Sequence, residues 1–312
     1  MGLVYRIPGF ETFNPNVKVV SDKYKKDGKV FIKKIWKSPY GVLESTVQIE
    51  PGYSSYFIKE KFIKEDRDYL ILDKILQDQE FHLKREKLKT IQENLGQDGI
   101  LMLRANKSAY NRLIYKYVDI EKFSIDLLEE KYELYSLLAT MKEHDRRCIK
   151  LLSDSPAKLI TLPDNITAPM IGGERFKEHC VPFYDWACQL LKDENKFSCV
   201  HMDGHLKNIE KEIAHTDLPI VEAFTPPPDG DLELERAQKI WDDKIIWLNF
   251  PSSVHISSPE KIRERTRELL ESSSPERLIL GITEDIPVEH WYKSLSAILD
   301  VLVEFNANGG IF

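Results

Sequence analysis

The stretch Val200-His201-Met202-Asp203-Gly204-His205 holds the residues best suited to chemistry. On an extended strand end His201 and Asp203 fall on one face, because side chains alternate with period two. An imidazole and a carboxylate spaced about 6–7 Å along that face can converge on one divalent cation. Glu284, in Gly281-Ile-Thr-Glu-Asp-Ile-Pro287, is the candidate third ligand from a later strand end. The expected metal set is therefore His201, Asp203 and Glu284. The alternative is that His201 bonds Asp203 or a backbone carbonyl and only shapes a pocket. Gly204 is expected to leave room for a ligand. His205 is a substrate-binding candidate or the start of the next helix.

Glu222 lies inside the apolar run Val221-Glu-Ala-Phe224. A carboxylate is costly to bury there unless it is paired or its protonation is shifted. It is read as the partner of a pocket histidine or as a general acid/base. Asp164, after Leu162-Pro163, is a pocket candidate that could instead cap a turn, while turn chemistry is the expected role of Asn165. Asn249 closes another apolar run, where its amide could orient a substrate carboxylate or cap the loop. No nucleophile elbow, P-loop, HExxH or kinase signature occurs.

These residues need elements to hold them. Lys29–Trp36 and Leu43–Ile49 read as strands joined by the turn Ser38-Pro-Tyr-Gly41, so residues 1–62 are expected to form an N-terminal β-hairpin region. From residue 63 the pattern becomes helices alternating with short apolar strands at 99–103, 157–162, 197–202, 218–224, 244–249 and 277–282. Continuous apolar strands are buried on both faces, the mark of a parallel sheet covered by helices. No GxGxxG follows the first strand, and polar residues cluster at the C-terminal strand ends, where barrel active sites are assembled. The expected fold class is α/β, a (β/α)₈ TIM-type barrel over 63–312. It is expected to be incomplete or distorted at the N-terminus, with an antiparallel β excursion there.

The 312 residues are 42% hydrophobic and 30% charged, as in ordinary globular proteins. A net charge of −7 argues against a general nucleic-acid binder. The locally basic stretch Lys18–Lys37 reads as a solvated hairpin. No apolar run approaches the roughly 18 residues of a membrane span, and no secretion signal opens the sequence. Cys148, Cys180, Cys188 and Cys199 form no CxxC pair and read as reduced, buried thiols of a cytoplasmic protein.

Four segments together resemble the uroporphyrinogen decarboxylase superfamily, which includes the cobalamin-dependent methyltransferases. They are His201-Met-Asp-Gly-His-Leu-Lys207, Ile220-Val-Glu-Ala-Phe-Thr-Pro-Pro-Pro-Asp-Gly-Asp231, Ile246-Trp-Leu-Asn-Phe250 and Leu280-Gly-Ile-Thr-Glu-Asp-Ile-Pro287. The likeness covers roughly residues 60–306, and it implies a (β/α)₈ barrel. The Arg-rich N-terminal segment of the decarboxylase branch is missing, and the first barrel strands of the family lie upstream of what can be matched. The methyltransferase branch holds zinc with a His-x-Cys and a distant Cys. The matching positions here are His201, Asp203 and Glu284, so both thiolates have become carboxylates. That harder set would suit zinc, manganese or iron with an oxygen substrate.

The resemblance implies an enzyme, foremost a metal-assisted methyltransferase acting on a small molecule with a corrinoid carried by a partner protein. His201 and Glu222 would be the catalytic residues; Asp164, Asn249 and His205 would bind substrate. A metal-free decarboxylase of a tetrapyrrole-like or polycarboxylate substrate is the second reading, disfavoured by the acidic character of the inferred mouth. A non-catalytic binding protein on the same barrel is the third.

Overall fold

The first strand is one that sequence alternation does not reveal. Leu3–Pro8 (β1) pairs in parallel with Gly99–Arg104, with Leu3 opposite Gly99 and Pro8 opposite Arg104. A parallel partner so distant in sequence leaves no local signature. The structure, a computed structural model, describes residues 2–51, 56–282, 286–307 and 310. Chain contacts divide it into two units, Met1–Ala157 and Lys158–Phe312.

In the first unit Glu11–Phe13 (β2) pairs antiparallel with Glu80–His82. Four further strands form an antiparallel sheet in chain order: Lys18–Lys26 (β3), Lys29–Ser38 (β4), Gly41–Ile49 (β5) and Tyr56–Glu60 (β6). Asp27 (φ 49°) and Gly28 (φ 73°) close the first hairpin in the left-handed conformations that a two-residue turn requires. Gly41 (φ 146°) closes the second after Ser38-Pro39, as the turn residues imply. The basic stretch is thus a hairpin.

Residues 80–82 are β7 and 99–104 are β8. Helices Asp66–Gln77 and Tyr132–Ser153 pack on each other, with Leu72 and Ile75 buried on the first and Leu134, Leu137, Leu138 and Met141 buried on the second. Each such buried aliphatic side chain contributes about 1.5–3 kcal/mol. Helices Ile120–Leu128 and Tyr132–Ser153 are separated at Glu129-Glu130-Lys131, where Glu130 takes φ 51°.

The second unit is a parallel α/β sheet. Its strands are Leu159–Leu162 (β9), Phe197–His201 (β10), Ile220–Phe224 (β11), Ile245–Asn249 (β12) and Leu278–Gly281 (β13). They lie side by side in chain order, each paired in parallel with the next. Helices separate them, with the longest at Val181–Asp193 and Pro259–Glu271. A doubly wound sheet reverses its strand order midway; this one does not, which is barrel-type winding. Residues 173–193 form two helices, Gly173–His179 and Val181–Asp193, and Pro182 sits in the first turn of the second, where its missing N–H costs nothing.

Candidate functional site

Strand β10 buries Ser198, Cys199 and Val200 and ends on His201, half-shielded at the C-terminal edge of the sheet. In register with it across the parallel ladder stands Glu222 of β11, fully buried. Register neighbours on adjacent strands share a face, and their side chains meet. His201 Nδ1 lies 2.6 Å from Glu222 Oε2. On the far side of the ring, His201 Nε2 lies 3.4 Å from Asp203 Oδ2. Asn165 Nδ2 donates to the same Asp203 oxygen at 3.2 Å. The site is one chain of contacts, Glu222–His201–Asp203–Asn165.

Local backbone features hold this chain in place. The ladder register slips between Glu222 and Phe224, and the residue between them, Ala223, takes φ 61°. A bulge of this kind re-aims its neighbours at a sheet edge, and the left-handed conformation costs an alanine of order 1–2 kcal/mol. Asn165 (φ 54°) turns the chain after β9, a conformation asparagine tolerates. The loops then zip together. Ile166 N donates to the His201 carbonyl at 3.2 Å, Gly204 N to the Ile166 carbonyl at 3.2 Å, and Ala168 N to the His205 carbonyl at 2.8 Å.

Gly204 does not open space for a ligand, contrary to expectation. A Cβ there would stand 2.2 Å from Thr167 Cβ and 2.6 Å from the Ile166 oxygen, so the missing side chain admits the neighbouring loop. Asp231 caps a turn far from it in sequence. Its Oδ1 accepts from Leu206 N at 2.7 Å and Lys207 N at 3.2 Å, capping the turn that follows His205. The helix after it starts later, at Leu234.

Burial is the largest influence on His201 and pulls its pKa down. Asp203 and Glu222 together overcome that and raise it to about 9. Burial pushes the Asp203 carboxyl up, but His201 and Asn165 outweigh it and hold it below the usual carboxylate range. In the absence of a further cation, the imidazole is therefore an imidazolium between carboxyl groups.

The other expected residues lie as follows. Asp164 is fully buried and accepts from Tyr184 Oη at 2.5 Å. Burial and the Asp164 carboxyl push the Tyr184 hydroxyl well above its ordinary pKa. Asn249 is buried at the end of β12, where its amide donates to Thr225 Oγ1 at 3.2 Å. The His205 side chain is exposed, and its backbone N–H donates to Thr167 Oγ1 at 3.1 Å. Glu284 lies outside the described residues. Among the described residues no group of three or more His, Cys, Asp or Glu stands ready to hold a metal. All four cysteines are buried free thiols, and burial pushes Cys188 up to about 11.

The sequence reading gave Asn165 only a turn role; its signal was the Pro-Asp-Asn sequence at a strand end, read for backbone alone. Ala223 and Tyr184 carried no signal, since neither residue type marks a bulge or a carboxyl partner by itself.

Among the described residues no helix is long and apolar enough to cross a membrane. No curated protein matches the sequence. Among solved structures, a methyltransferase from Methanosarcina mazei superposes with a TM-score of 0.62 at 13% identity, covering 83% of this chain and 75% of that one. At that identity the likeness is one of fold. The sequence profile described as uroporphyrinogen decarboxylase (URO-D) matches residues 41–305, most of the chain. The chain therefore belongs to the uroporphyrinogen decarboxylase family.

Proposed function

We propose that this member of the family is a metal-assisted methyltransferase, built on a (β/α)₈ barrel, that acts on a small molecule with a corrinoid-carrying partner protein. The observation that carries the reading is the chain Glu222–His201–Asp203. Two atoms bound to one tetrahedral zinc at ordinary lengths stand about 3.3–3.5 Å apart. His201 Nε2 and Asp203 Oδ2 stand 3.4 Å apart. Glu222 on Nδ1 is the carboxylate–histidine arrangement that fixes the tautomer and turns the Nε2 lone pair outward. The donor set fits zinc, manganese or iron, with His201 and Asp203 as ligands and Glu284 as the expected third. When bound, such an ion supplies Lewis-acid activation of an oxygen- or sulfur-bearing substrate.

The protein's own residues have separable tasks in this reading. Glu222 accepts a hydrogen bond from Nδ1–H and orients the ring. Asn165 holds Asp203 in position. Asp164, locked to Tyr184, and Asn249, on Thr225, shape the strand ends, and exposed His205 is available to substrate.

One observation favours a second reading. An imidazolium with a pKa of about 9 is a ready proton donor at neutral pH. In a metal-free decarboxylase, the bond to the departing carboxylate breaks, its electron pair stays on carbon, and His201 returns a proton there. Two carboxyl groups beside His201 make a poor seat for a polycarboxylate, so this reading ranks second.

The test is metal content of the purified protein by mass spectrometry, beside a His201→Ala variant, with consumption of free methylcobalamin followed by its visible spectrum. About one metal per chain, lost in the variant together with methyl transfer, supports the reading. No metal in either protein after reconstitution refutes it and leaves the decarboxylase or a binding protein.

A further inference from the structure

The sheet β3–β6 has one covered face and one that is buried at its centre, at Thr46 and Gln48, and exposed toward its edge strands. Leu43 and Val47 are buried on the covered face, and Trp36 packs against Phe62 there with ring centroids 4.5 Å apart and planes tilted by 38°. The opposite face carries a row that runs straight across all four strands. Tyr24 stands opposite Phe31, Phe31 opposite Gln48, and Gln48 opposite Phe57. Tyr24 and Phe31 stack at 5.4 Å, and Lys59 lies over the Phe57 ring at 5.6 Å. Tyr24 is 38% exposed and Phe57 55%. A depression of about 320 Å³ opens there, lined by Tyr24, Lys26, Lys29, Phe31 and Lys59, with Asp27 and Glu60 also on its wall.

Residues 18–37 hold eight lysines, no arginine and two aspartates, in a chain of net charge −7. Lysines on edge strand β3 guard against strand addition. They do not account for Lys29 on an inner strand, or for aromatic rings exposed beside it; Lys33 on the same strand is paired with Glu44 at 2.7 Å.

We propose that this face docks an acidic protein partner. Carboxylates of the partner sit among Lys26, Lys29 and Lys59, and an apolar side chain rests on the Tyr24–Phe31 pair. Charge complementarity singles out the class. Lysine is a hydrated point charge suited to carboxylates in a contact that forms and releases, whereas stacked, bidentate phosphate recognition favours arginine.

The probe is fluorescein-labelled poly-L-glutamate of about 50 residues, with a single-stranded oligothymidylate of equal charge beside it, read by fluorescence anisotropy. The full chain is compared with the triple variant Lys26→Glu, Lys29→Glu, Lys59→Glu and with a control, Lys142→Glu, Lys150→Glu, on the exposed side of another helix. Thermal melts establish that each variant is folded. The expected result is polyglutamate binding that weakens about tenfold in the triple variant and again between 20 and about 200 mM salt, with the control unchanged. Equal loss in both variants, no polyglutamate binding, or tighter binding of the oligonucleotide overturns the proposal. Should the triple variant unfold, single Lys26→Gln and Lys59→Gln variants carry the same comparison.

Discussion

Replacing Glu222 by Gln removes one carboxyl group from the His201 ring and leaves the shape of the side chain nearly unchanged. The two carboxyl groups beside His201 lift it from the ordinary histidine value near 6.5 to about 9, against burial. That difference corresponds to about 3 kcal/mol of preference for the imidazolium in the folded state. The sign follows from linkage. A folded-state pKa above the unfolded one gives stability that is fully present below 6.5 and is lost as pH rises through about 9. In Glu222→Gln one of the two lifting groups is gone and burial still pulls down, so the ring titrates well below its value in the parent. At pH 7 the variant is expected to lose about 1–3 kcal/mol, with the gap to the parent narrowing above pH 9. Urea unfolding of chelator-treated protein at pH 6, 8 and 10 measures the gap, and NMR of the imidazole ring reads the titration. A His201 ring that titrates near 6.5 in the parent, or identically in parent and variant, refutes the electrostatic account. Readdition of a bound divalent metal should abolish the titration, because a ligating imidazole stays neutral.

Other perturbations test the remaining parts of the structure. Gly204→Val drives a side chain into Thr167 and the Ile166 carbonyl, and should cost about 1–3 kcal/mol in urea unfolding; unchanged stability would show that the two loops are not zipped as described. Burial holds His144 down to about 4, as do the nearby Arg147 and Arg112, and burial holds His255 to about 4 as well. Both therefore give stability that is present above pH 6.5 and lost as pH falls toward 4, by at most about 3 kcal/mol each. Urea midpoints between pH 7 and 4.5 should fall, and His255→Asn should flatten part of that slope; a flat profile in the parent would contradict both burial arguments.

Which segments become strands and helices in the second unit was legible from residue order alone. Runs such as Ile245–Asn249 are apolar on both faces, so they read as parallel strands without a partner in view. Residue order also set His201 and Asp203 two residues apart at a strand end; the strand stops at His201, and the loop beyond it brings Asp203 Oδ2 to 3.4 Å from His201 Nε2. The Asn249 and Asp164 positions at strand ends were legible in the same way. Which side chains meet depends on long-range packing. Glu222 could have served as a partner or as an acid/base; the β10–β11 register sets it against His201 Nδ1. Asn165 reaches Asp203 because two loops bond backbone to backbone, and Asp231 caps a turn 25 residues upstream. Strand β1 found its parallel partner across the whole antiparallel excursion. Local periodicity carries the element and the face, whereas register, loop closure and parallel pairing are long-range contacts that no window of sequence contains.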